Sequence, residues 1–193
     1  MEGTPNHHPG QGTACRRFFF SNAMLEFLWL EDESEARSEQ TRATRLWERF
    51  SAAGQTASPF GIILRPMPGT EPVCPWRSWS YRPQTMPGLE LEIASDTELT
   101  EPMWCYMKSG RAPVEWPPER LQPLDHPADL REITRVLIGC PDAKEGSVTS
   151  TMARNGVIAL HTGVEHLMEL HFDGGRRGTT LDFRPALPLT FRI

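Results

Sequence analysis

Positive charge is in short supply in this chain. Its 20 Lys and Arg are outnumbered by 25 Asp and Glu, for a formal charge of -5. That balance excludes broad binding to a phosphate backbone, which needs a net basic surface. No stretch approaches the roughly 20 apolar residues of a membrane-spanning helix, and no basic head followed by an apolar run marks a secretory signal. Cysteine is sparse: Cys15, Cys74, Cys105 and Cys140 stand apart, with no CxxC spacing. This reads as reduced thiols in a cytoplasmic protein rather than a disulfide framework or a zinc site. No Ser/His/Asp order, phosphate loop or nucleotide fingerprint is present. "GRAPVEWPP" and "DGGRRG" carry glycine without the strand and helix that give a dinucleotide motif its meaning. Neither nucleic acid nor membrane is expected as a partner.

What remains fits a soluble globular chain. Its 193 residues, 38% apolar and 23% charged, suffice for one domain with a substantial core or for two small fused modules. Strands are expected from Cys15 to Phe20 and from Met24 to Leu30, joined at Ser21-Asn22. The stretch "ESEARSEQTRATRLWERFSAAG" is rich in helix formers, with Leu46, Trp47 and Phe50 as an apolar face and Gly54 as a stop. "PFGIILRP" reads as a short strand. Residues 66–88 hold six prolines and three aromatics and suit an irregular crossing loop or lid. There Trp76, Trp79 and Tyr81 either close over an apolar ligand or pack on their own domain. "GLELEIAS" alternates as a strand does, with Glu90 and Glu92 on one face and Leu89, Leu91 and Ile93 on the other. "ADLREITRVLIGCP" reads as a turn and a strand, "NGVIALHTGVEHLMELHFDGG" as a second hairpin, and "LDFRPALPLTFRI" as a closing strand.

The two hairpins resemble each other. "AMLEFLWLED" and "HLMELHFDGG" align without gaps and put Glu26 on Glu169, each a lone acid among large apolar residues. Self-similarity of this kind suggests two copies of one supersecondary unit. Glu26 also has a plain explanation, because a two-residue turn sets Arg17 directly across from it, and such a pair contributes roughly 0.2–1 kcal/mol. His7 and His8 precede Pro9, Gly10 and Gly12. Glycines in that loop let backbone amides form an anion-holding concavity, or serve a turn with exposed histidines. Glu169 and His171 share a strand face at a spacing that suits a cation, or His171 is a half-exposed strand residue. Arg135 either anchors a substrate carboxylate or neutralises Glu169. His126, before a proline, reads as structural, and Cys15 and Cys105 as small hydrophobes.

Taken together, "HHPGQGTACRRFFFSNAMLEFLWLEDE", "PFGIILRP", "DHPADLREITRVLIG", "HLMELHFDGG" and "LPLTFR" resemble glyoxalase-like domain proteins of the vicinal oxygen chelate superfamily, over nearly the whole chain. The resemblance implies an α+β fold of paired βαβββ modules, with curved, mostly antiparallel sheets around a cleft. It makes residues 1–193 a single glyoxalase-like domain, with 1–120 as the first module plus a crossing loop and 121–193 as the second. The first module is N-terminally incomplete, since such proteins begin with a strand and helix before the HPGxGT loop. An upstream segment or a partner subunit, as in a homodimer, is expected to supply that surface. Glu26 and Glu169 match the inward-facing glutamates of the metal-dependent members, where Mn²⁺, Fe²⁺ or Zn²⁺ would polarise a substrate carbonyl or stabilise an enolate. Arg135 falls where those members carry a histidine, and a guanidinium has no lone pair to offer a metal. The implied functions are two. One is a metal-assisted lyase, isomerase or dioxygenase using Glu26 and Glu169, with His8, Arg17, Arg135 and His171 around the substrate. The other is a non-catalytic module that binds a small molecule over a degenerate metal site.

Overall fold

The computed structural model describes residues 1–52, 56–83, 86–161, 163 and 165–193. The expected helix stop at Gly54 lies outside them. The chain is α+β, with mixed and antiparallel sheets. It divides into two compact units, one of residues 1–3, 18–25 and 112–193, the other of residues 4–17 and 26–111.

Three strands open the chain: β1 (Asn6–His8), β2 (Thr13–Phe19) and β3 (Met24–Leu30), in the order β1-β2-β3. The Phe20 N–H donates to the Ala23 carbonyl (2.8 Å) and the Glu31 N–H to the Gly12 carbonyl (2.9 Å). Both bonds belong to one register, in which Arg17 stands opposite Glu26, as the turn length predicts. β1 is a departure from expectation. His7 and His8 belong to a short strand whose register sets Asn6 against Cys15 and His8 against Thr13. Gly12 has φ of 71°, and a Cβ there would overlap the Asp32 carbonyl and the Ala36 amide, so glycine is required twice over. β3 ends its sheet. Its residues are almost all apolar, yet Leu28 is 36% and Trp29 41% exposed.

The single helix expected after β3 is three short ones, α1 (Glu33–Ala36), α2 (Glu39–Arg42) and α3 (Leu46–Ser51). Asp32 caps the first by accepting the Glu35 N–H at 3.0 Å. The breaks have a side-chain cause. The Thr41 hydroxyl donates to the Glu35 and Ala36 carbonyls, each at 2.9 Å, and Arg45 takes φ of 56°. Hydroxyl side chains that compete for backbone carbonyls in this way interrupt a helix whatever its average propensity. On α3 the buried face includes Leu46, as expected, and also Arg49, 8% exposed. The Arg49 guanidinium donates to the carbonyls of Glu101 (2.7 Å), Leu99 (3.3 Å), Ser58 (3.4 Å) and Glu98 (3.4 Å).

Those carbonyls flank a second sheet of the same unit. It comprises β4 (Gly61–Leu64), β5 (Ser78–Tyr81), β6 (Leu91–Ala94) and β7 (Met103–Tyr106), in the order β4-β7-β6-β5. β4 runs parallel to β7 and the other pairs are antiparallel. Part of the expected crossing loop is therefore strand β5, where Trp79 and Tyr81 pack on Ile93, Cys105, Leu91 and Met103. Trp76, just before it, meets the Trp104 ring edge-on at 5.8 Å between centroids. Glu90 and Glu92 share a face, as the alternation predicts, and both accept from Ser80.

The other unit is built on five strands, β8 (Ile133–Gly139), β9 (Ala159–His161), β10 (Leu167–Phe172), β11 (Thr180–Asp182) and β12 (Leu189–Arg192). Their order is β11-β12-β10-β8-β9. The expected second hairpin is absent here, because β9 lies parallel to β8 and β10 sits between β8 and β12. A helix α4 (Val148–Arg154) joins β8 to β9, which explains the parallel pairing, since a crossover connection is what two parallel strands need. The tail is two antiparallel strands rather than one. Ile138, Leu170 and Phe172 form the buried face, with Phe172 against Phe191 and Phe20. His126 is structural: it stacks on Phe20 at 4.5 Å and bonds the Phe19 carbonyl at 2.8 Å. All four cysteines are free, Cys15, Cys105 and Cys140 buried and Cys74 half-exposed. Among the described residues no helix is long and apolar enough to cross a membrane.

The Arg49 clasp generates a stability prediction. Arg49→Met keeps the aliphatic bulk but removes the guanidinium that donates to the carbonyls of Glu101, Leu99, Ser58 and Glu98. Urea unfolding should show a loss of about 3 kcal/mol. A loss below roughly 0.5 kcal/mol, the range of ordinary surface changes, would show that the clasp holds nothing.

Candidate functional site

The sequence-predicted residues fall into two groups, one in each unit. The first lies on one face of the β1-β2-β3 sheet, where register alone aligns His8, Thr13, Cys15, Arg17 and Glu26. His8 is 7% exposed. Its Nδ1 contacts the Thr13 hydroxyl at 2.9 Å and its Nε2 the Asn6 amide nitrogen at 2.9 Å. An amide nitrogen can only donate, so Nε2 is the acceptor and Nδ1 carries the proton. The neutral ring suits its surroundings, because burial and then the charge of Arg17 both push its pKa down. His8 is thus a buried strand residue, while His7 is exposed and paired with Glu31 at 2.9 Å.

Glu26 is half-buried. The Cys15 thiol donates to its Oε1 at 3.7 Å, and Cys15 Sγ lies 3.9 Å from His8 Nε2. Burial pushes the Glu26 carboxyl above the ordinary range, against the opposing pull of Arg17 and of the thiol. Arg17 itself donates to the Thr4 carbonyl at 2.7 and 3.0 Å. Cys15 is fully buried, as expected of a small hydrophobe, and its thiol is in addition the hydrogen-bond donor to the acid. Burial pushes that thiol up to about 12, so it stays protonated and is not a nucleophile. The missed signal was in the sequence: Cys15 and Glu26 are diagonal neighbours in a hairpin with a two-residue turn.

The HPGxGT loop forms the expected concavity, and the chain fills it itself. Glu35 Oε2, from α1, accepts the Gly10 N–H at 2.6 Å and the Gly12 N–H at 3.1 Å.

The second group is Glu169, His171 and Arg135, on the polar face of the five-stranded sheet. Glu169 Oε1 contacts His171 Nε2 at 2.8 Å. Its Oε2 accepts from Arg192 Nε at 2.9 Å and from the Thr190 hydroxyl at 3.4 Å. Burial pulls this carboxyl upward, but the hydrogen bonds from His171 and Arg192 outweigh it, and the net shift is below the ordinary range. The expected role of Arg135 in neutralising Glu169 is not observed. In the register Glu169 faces Leu137 and Arg135 faces His171, so Arg192 of β12 does that work. Sequence reading missed Arg192 because its strand is sequentially remote and pairs parallel to β10.

A third polar cluster was not anticipated. Glu92, 7% exposed, accepts from Lys108 Nζ at 2.7 Å, Ser78 Oγ at 2.8 Å and Ser80 Oγ at 3.1 Å. The lysine and then the serines hold its carboxyl below the usual range.

Among the described residues, no three His, Cys, Asp or Glu side chains are grouped so that they could hold a metal ion. The donor sets explain why. Glu169 is already bound by the His171 imidazole and the Arg192 guanidinium, and Glu26 is joined to a protonated thiol. Comparison with known proteins returns no match to a family model, to a curated protein or to a solved structure.

The opposite shifts of the two glutamates give a pH test. A carboxyl whose folded pKa is raised binds its proton more tightly folded than unfolded. Its contribution is fully present below the ordinary glutamate range and is lost as pH rises through the folded value. Glu26→Gln should therefore leave the melting temperature at about pH 4 little changed and raise it at neutral pH by a few degrees. A fall at neutral pH would mean that the charged form of Glu26 is the stabilising one.

Proposed function

We propose that this chain is a glyoxalase-like protein of the vicinal oxygen chelate type, working as a small-molecule-binding module with a degenerate metal site. The observation that carries the choice between binding and catalysis is the clasp on Glu169. Both Glu169 oxygens are already engaged by His171, Arg192 and Thr190, and a metal ion binding there would meet the positive charge of Arg192. The position matched to a histidine ligand holds Arg135, which has no lone pair to give. The residues present do not fit a divalent ion at that position.

The β4-β7-β6-β5 sheet supports the family reading. Its four strands follow one another in the chain, the first lies parallel beside the fourth, and the remaining pairs are antiparallel. The likeness to a βαβββ module is in strand order alone, since a proline-rich loop and no helix joins β4 to β5.

A second reading, an enzyme acting on a small oxygenated molecule, is favoured by Glu26. A half-buried carboxyl that keeps its proton to higher pH than usual suits general acid–base work.

Elemental mass spectrometry on protein purified without chelator or a metal-affinity column separates these readings. The expected result is no stoichiometric Mn, Fe or Zn, also after incubation with each ion, together with thermal stabilisation by members of a panel of small carbonyl and carboxylate compounds. About one ion per chain, lost in Glu26→Ala or Glu169→Ala, would overturn the binding-module reading in favour of a metal-assisted lyase, isomerase or dioxygenase.

A further inference from the structure

The polar face of the five-stranded sheet carries a row of basic side chains. The register sets Arg135 of β8 directly beside His171 of β10, His171 beside Arg192 of β12, and Arg192 beside Thr180 of β11. Directly paired residues project to the same face, and neighbouring strands are roughly 4.8 Å apart, so the two guanidinium side chains flank one imidazole within easy reach of a common point. Two guanidinium groups on one face concentrate positive charge there, and the acids nearby are already paired. Glu169, in the adjacent row, is shared between His171 and Arg192. Asp182, also on this face, is held by Arg184 at 2.7 Å. Arg135 is exposed, and among the described residues no carboxylate lies within ion-pair distance of it.

We propose that Arg135, His171 and Arg192 form the anion subsite of the binding module and take the carboxylate of a small-molecule ligand. The inference rests on the binding-module reading and names the ligand chemistry that reading leaves open. Arg135 supplies the fork, a planar pair of parallel N–H donors that matches a carboxylate in geometry as well as charge. Arg192, fixed at its Nε by Glu169 and at its Nη1 by the Thr180 hydroxyl, adds a preorganised positive charge. Glu169 then has two effects: it orients His171 and Arg192, and it competes with the incoming anion for them.

Calorimetric titration of sodium malonate into the full chain, at ionic strength held constant with chloride, tests this. Saturable malonate binding is expected, weakened roughly tenfold or more by Arg135→Ala, the loss of a charge-assisted hydrogen-bonded pair. Arg135→Lys should recover only part of it, because the charge returns without the fork. Glu169→Gln, with folding verified by its thermal melt, should tighten binding by removing the competing charge. Malonate heats indistinguishable from chloride, or equal affinity for wild type and Arg135→Ala, would overturn the assignment. So would full recovery by Arg135→Lys, since general charge attraction would then suffice. If malonate fails while a neutral carbonyl compound stabilises the chain, the subsite is wrong and the binding-module reading stands. A stoichiometric metal overturns that reading whatever malonate does.

Discussion

The register of the β2–β3 hairpin is the constraint on which the first part of the molecule depends. It is pinned at both ends, by Phe20 on Ala23 and by Glu31 on Gly12. Because side chains alternate with a period of two, a slip of one residue would turn every one of them to the opposite face. In the observed register Cys15, Arg17 and Glu26 share a face, and β1 adds His8 to it. The same register fixes where the chain leaves β3. Asp32 caps α1 there, and α1 delivers Glu35 to the amides of Gly10 and Gly12. Loop, helix and the adjoining ends of β2 and β3 are thus tied together by hydrogen bonds, and the tight approach at Gly12 leaves no room for a side chain.

Within this frame the two matched glutamates have opposite physical characters. Glu26 is a carboxyl in a poorly solvated position whose nearest donor is a weak one, a thiol. Glu169 is a carboxylate between an imidazole and a guanidinium. Sequence alignment makes them equivalent, whereas their surroundings raise the pKa of one and lower that of the other. Equivalence of position on a strand therefore does not carry equivalence of chemistry, which depends on what the neighbouring strands bring.

The local elements were the legible part of the sequence. The first hairpin, the alternation of β6 and the strand at 133–139 follow from period-two patterning and turn residues, and the opposition of Arg17 and Glu26 follows from turn length alone. Three features were not legible. The long helix failed because hydroxyl side chains such as Thr41 satisfy carbonyls from within it, which average propensity does not register. The second hairpin failed because adjacency in sequence does not fix pairing when a helix intervenes, as α4 does between β8 and β9. The partners of Glu169 failed for a related reason, since a parallel neighbour such as β12 leaves no local trace. The site was therefore visible as a set of residues and invisible as a set of contacts.

The cysteines have a practical consequence. Three of the four are buried, and burial pushes Cys15 and Cys105 up to about 12, beyond the reach of thiol reagents that require a thiolate near neutrality. Cys74 is the half-exposed one. A maleimide dye or a nitroxide should therefore attach at a single native position, without a cysteine-free background. It would report from the segment leading into β5, so motions of the proline-rich stretch become observable in the unmutated chain.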